Sequence, residues 1–126
     1  MRRITVPRPA RLVLVAAAVF ALGACGSDSP PADVGAQVTI TDTTFAPADI
    51  GIIAGAAVQW TNTSATERHN ILPVVEGSFE KHDALIKPGE KVTITFARVG
   101  DYAYYCAIHG SPTAGQRGVV HVTAIG

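Results

Sequence analysis

From Ala36 to Thr123 the chain repeats one pattern: short runs in which apolar and polar residues alternate, broken by turn signals, with almost no helical period. In Ala36–Asp42, Val38 and Ile40 fall on one side and threonines on the other. Val58–Asn62 and Val92–Phe96 alternate in the same way, and Tyr102, Tyr104 and Cys106 share one face of Tyr102–Cys106. In the last run, Val120, Val122 and Ala124 alternate with Val119, His121 and Thr123. Side chains of an extended chain point to opposite faces in turn, so this period, carried by β-branched and aromatic residues, predicts strands. Ala54-Gly55, Pro88-Gly89-Glu90 and Val99-Gly100-Asp101 punctuate the runs as turns. Short strands so spaced, in a domain of about 100 residues, predict an all-β antiparallel sandwich. Glu67–Leu85, with Pro73, Gly77 and scattered apolar residues, reads as a loop holding at most one short strand or helical turn.

The sandwich does not use the whole chain. Arg2, Arg3, Arg8 and Arg11 precede the uncharged apolar run Leu12–Ala24, which is short for a membrane span and suits the core of a signal peptide. It ends in Leu22-Gly23-Ala24-Cys25, which resembles a bacterial lipobox and implies lipidation of Cys25. The bland alternative is an ordinary cleaved signal peptide with a chance cysteine. Residues 1–24 are therefore expected to be a signal peptide, 25–35 a Pro- and Ser-rich tether, and 36–126 one domain. Both versions put the domain outside the cytoplasm, and the lipid would anchor it to the cell membrane. Once the signal arginines are gone, six Lys and Arg face ten Asp and Glu, a net of −4. A mildly acidic chain with no basic stripe argues against nucleic acid as a partner.

Cysteine usage is the sharper constraint. With Cys25 at the lipid, Cys106 is a lone thiol in an oxidising compartment, so no disulfide is expected and something must protect it. Metal ligation would do so. Cys106-Ala107-Ile108-His109 is a C-x2-H at the end of a strand, and His69-Asn70 lies upstream after a polar segment. A soft thiolate with two imidazoles is the trigonal donor set of a blue-copper site. Zinc accepts the same donors, and a buried cysteine can also be a small core residue.

Asp101–Gly110, Gly115–Val120, the His69-Asn70 pair and Pro88-Gly89-Glu90 together resemble the signature of the cupredoxins, the plastocyanin-like blue copper proteins. The resemblance runs from about Val38 onward. It implies a Greek-key β-sandwich, one type 1 copper ion held by His69, Cys106 and His109, and single-electron transfer between redox proteins rather than enzymatic catalysis. The family usually places methionine at the axial position; here the matching residue is Gln116, and Met1 is the sole methionine. Gln116 either binds through its amide oxygen, as in stellacyanin-like members, or points away and leaves three ligands. Asn70 is a candidate for holding His69 in place through its amide; a plain turn residue is the alternative.

His82 reads as a solvated loop residue, His121 as exposed on the polar face of the last strand, and Trp60 and the tyrosines as packing. Membrane oxidoreductases are the expected partners, met by a monomer. Rival functions are copper delivery without electron transfer, a copper enzyme, for which His82 and His121 are too few spare ligands, and an immunoglobulin-like binding module, which lacks the second cysteine of its inter-sheet bridge.

Overall fold

A computed structural model describes residues 33–126. The expected signal segment, Cys25 and the tether up to Ala32 lie outside the described residues. The chain forms nine strands: β1 (Val34–Ile40), β2 (Phe45–Ala46), β3 (Asp49–Ile53), β4 (Ala57–Asn62), β5 (His69–Pro73), β6 (His82–Ile86), β7 (Lys91–Thr95), β8 (Gly100–Gly110) and β9 (Gly115–Thr123). β1 begins slightly ahead of the expected boundary at Ala36.

The strands form two sheets, ordered β2-β1-β4-β7 and β3-β9-β8-β5-β6, packed as an all-β sandwich. Antiparallel pairing predominates, but β1 runs parallel to β4 and β3 parallel to β9. Both follow from the chain changing sheets. β3 leaves for the opposite sheet before β4 returns beside β1, and parallel neighbours need such a crossover in place of a tight hairpin.

Alternation is converted directly into a core. Along β9, Gln116, Gly118, Val120 and Val122 turn inward while His121 stays outside, 2.7 Å from Asp101. In β4, Val58, Trp60 and Asn62 are buried. Trp60 is the hub: its ring meets Tyr104 edge-on at 5.4 Å between centroids and Phe96 at 6.4 Å. Phe45 meets the same Tyr104 at 4.8 Å. Tyr104 has room because β9 carries glycine beneath it; a Cβ on Gly118 would come within 2.4 Å of the tyrosine ring. Burial pushes the Tyr104 hydroxyl up to about 12, since no solvent is available for the phenolate.

Glu67–Leu85 departs from expectation, for it holds β5 and all but the last residue of β6. Period two is lost in β5 because His69, Asn70 and Ile71 are buried in succession, one face on the core and the other on neighbouring polar groups. His82, expected in a solvated loop, instead opens β6 and is half-buried. Tyr102 is only half-buried, and its hydroxyl donates to the carbonyl of Arg98 at 2.8 Å.

Candidate metal centre

Three strands of one sheet converge at the end where β8 turns into β9. Cys106 continues the inward period of Tyr104 and is fully buried. Beyond Tyr105 the pairing of β8 with β9 becomes irregular until Gly110. Across that irregularity Ala107 and Ile108 are exposed while His109 is half-buried. The hairpin then closes tightly, Ser111 N donating to Ala114 O at 2.8 Å. Glycine is required on both sides of it. A Cβ on Gly110 would lie 2.6 Å from Gln116 N, and one on Gly115, at φ +81°, would lie 2.5 Å from His109 O. This close approach sets Gln116 beside His109.

β5 supplies the third side. His69 is fully buried, with Nδ1 3.7 Å from Cys106 Sγ and 3.1 Å from Gln116 Oε1. One donor atom from each of His69, Cys106 and His109 falls within a 4.8 Å cluster. The two imidazole rings lie 5.1 Å apart between centroids. The Gln116 amide is oriented by its other end: Nε2 donates to Thr44 O at 3.1 Å, which leaves Oε1 facing His69. Asn70 Oδ1 accepts from Ala107 N at 2.9 Å and so ties the strand of His69 to the segment between Cys106 and His109.

Burial holds the His69 pKa below its ordinary value, and His109 pushes the same way, against the hydrogen bond that Gln116 Oε1 accepts. His69 is therefore neutral at neutral pH, the state a ligand needs. Because the shift is downward, acid below the ordinary histidine range works against both the fold and metal uptake.

The residues fit a soft metal ion. A buried thiol, two imidazoles and one carboxamide oxygen surround the same small space, and His109 Nδ1 is buried with no hydrogen-bond partner among the described residues. An orphaned ring nitrogen beside a thiol is costly unless it has something to bind.

The structure also brings in residues that spacing does not reveal. Glu67 Oε2 lies 3.2 Å from His109 Nε2, Thr44 fixes Gln116, and Asn62 bridges Glu67 O and Ile86 O at 2.9 Å each. Only the polarity of the Thr61–Glu67 segment could have hinted at the first and last of these. His82 and His121 stand apart from the cluster.

Residues 32–123 match the family described as copper binding proteins, plastocyanin/azurin family. Chloroplast plastocyanin of Tetradesmus obliquus is 36% identical over 86 residues, covering 62% of this chain and 54% of its own length. The chain thus spans about half the length of that relative. Among solved structures, a purple cupredoxin from Nitrosopumilus maritimus superposes with TM-score 0.57 at 25% identity, over 70% of this chain and 99% of its own. An oxidised variant of amicyanin superposes with TM-score 0.59 at 26% identity, over 71% and 82%.

Proposed function

Because the chain belongs to the plastocyanin/azurin family of copper-binding proteins, we propose that it is a type 1 copper electron carrier working outside the cytoplasm. The observation that carries this reading is the buried meeting of one thiol with two imidazoles and a carboxamide oxygen on a rigid sheet. His69, Cys106 and His109 would hold the ion, with Gln116 as the weak fourth ligand. Copper bound there supplies a one-electron Cu(II)/Cu(I) couple.

The chain's own contribution is preorganisation. His69 is fixed on β5, Cys106 on β8, and Asn70 links the two through Ala107 N. Thr44 keeps the Gln116 amide from turning. Donors that barely move between oxidation states keep the reorganisation barrier low. No spare ligand cluster stands elsewhere among the described residues for a catalytic second metal, which favours carrier over enzyme.

Exchange would occur at the His109 edge. His109 is 21% exposed, and Ile108, 46% exposed, lies beside it with Pro112 and Ala114 also at the surface. A small apolar rim suits brief docking. Ile108→Asp is expected to slow electron self-exchange about tenfold, equivalent to 1.4 kcal/mol in docking, while the absorption spectrum stays unchanged. NMR line broadening in mixed Cu(I) and Cu(II) samples measures this. An unaltered rate would remove this docking surface. Slow exchange in the unsubstituted protein, with ready loss of copper to a chelator, would favour copper delivery instead.

The lipid on Cys25 would bring the carrier to membrane oxidoreductases as a monomer and raise its concentration there. Val34 pairs with Ala57, and at the other end of the same ladder Ile40 pairs with Asn62, which contacts Glu67. The tether therefore enters the domain opposite the metal centre. Residues 25–33 span at most roughly 30 Å when extended, which would keep the domain close to the bilayer.

A further inference from the structure

We propose that Glu67 is a positioning residue for the metal: its carboxylate, set against Nε2 of His109, holds the ring proton on that nitrogen and so keeps the lone pair on Nδ1. This inference rests on the copper reading above and adds a control to it. A neutral imidazole carries one N–H and one lone pair, and whatever binds one nitrogen decides what the other can do. Glu67 Oε2 is 3.2 Å from His109 Nε2, while Nδ1 of the same ring is buried and unpartnered among the described residues. A carboxylate accepts only, so the proton goes to Nε2, leaving Nδ1 as the donor beside Cys106 and His69.

Glu67 does not reach His109 as a loose surface side chain. Ser64 Oγ accepts from Glu67 N at 2.9 Å, and Asn62 Nδ2 donates to Glu67 O at 2.9 Å. Asn62 Oδ1 in turn accepts from Ser64 N at 3.0 Å, and Ser64 Oγ donates to Asp42. Asn62 and Ser64 are both buried. The Glu67 backbone is thus held from inside the sandwich, at the point from which its carboxylate meets the outer nitrogen of His109. These anchors use backbone atoms of Glu67, so a change of its side chain leaves them in place.

Two consequences follow. A carboxylate on the far nitrogen makes imidazole a stronger donor and adds negative charge beside the centre, which favours Cu(II) over Cu(I). It also places a carboxylate next to the part of His109 that stays exposed.

The test uses the full chain with Glu67→Ala and Glu67→Gln. In the metal-free protein, 15N NMR of the histidine rings at fixed neutral pH is expected to show His109 with its proton on Nε2. Glu67→Ala should mix the two tautomers, and Glu67→Gln, which keeps an acceptor without the charge, should largely preserve the first. In the loaded proteins, Glu67→Ala should lower Cu(II) affinity relative to Cu(I) by about tenfold or more, a rise of about 59 mV per decade for one electron. Glu67→Gln should retain part of the difference. An unchanged His109 tautomer in Glu67→Ala overturns the proposal whatever copper does, as does an unchanged Cu(II)-to-Cu(I) affinity ratio. A wild-type protein with no thiolate-to-copper absorption band would count against the copper reading alone, because the tautomer is read without metal.

Discussion

Replacing Gln116 with methionine is expected to raise the reduction potential by on the order of 100 mV, nearly two decades in the Cu(I)-to-Cu(II) affinity ratio, with the charge-transfer band retained. The orientation of the amide is the reason. Its nitrogen is committed to Thr44 O, so its oxygen faces His69 Nδ1 from 3.1 Å, inside the donor cluster. A carboxamide oxygen is a hard donor and stabilises Cu(II), whereas a thioether is soft and stabilises Cu(I). Methionine also abandons Thr44 O, so the metal-free variant should lose about 1 kcal/mol of stability. Cyclic voltammetry of both proteins reads the first effect and urea unfolding the second. A potential that does not move would mean that Gln116 only braces His69 and donates nothing to the metal.

The largest loss of stability is expected from Trp60→Ala, about 3–5 kcal/mol against a total of about 5–15 kcal/mol for a domain of this kind. Trp60 is fully buried and joins the two sheets, touching Phe96 from its own side and Tyr104 from the other. Nothing adjacent can collapse into the space, because Tyr104 is already held between Phe45 and Gly118. Tyr104 lies on the same face of β8 as Cys106, so the damage should extend to the centre as weaker copper retention. Trp60→Phe should recover roughly half of the loss. A loss under about 1 kcal/mol in urea unfolding of the metal-free protein would show that the sheets are joined elsewhere.

Strands whose outer face carries polar residues were legible in the sequence; β3, which exposes Gly51 and Ile53, and β5, packed on both faces, were not. β4 and β7 announce themselves because Trp60 and Ile94 alternate with polar neighbours, and β9 because Val120 and Val122 flank His121. β5 does not, because burying His69, Asn70 and Ile71 in succession erases the period, and the segment reads as a loop. Alternation is also silent about strand direction, so the parallel pairs β1/β4 and β3/β9 could not be anticipated.

The site divides the same way. Cys106 and His109 are visible because they sit close together in sequence at the end of a strand, and their chemistry makes sense only together. Gln116 is brought beside His109 by a hairpin that needs Gly110 and Gly115, a constraint apparent only once the strands are paired. Thr44 and Glu67 act on ring and amide atoms far along the chain, through contacts that no local pattern encodes. The assignments that fall on residues 1–32, the signal peptide and Cys25 among them, lie outside the described residues and stand on the sequence alone.

Everything proposed for this chain turns on Cys106 and two histidines binding copper together. The most direct test is the visible absorption and EPR spectrum of the protein beginning after Cys25, loaded with Cu(II), beside a Cys106→Ser control. An intense thiolate-to-copper charge-transfer band that the control lacks is the expected result. A folded protein that stays colourless with Cu(II) would contradict it.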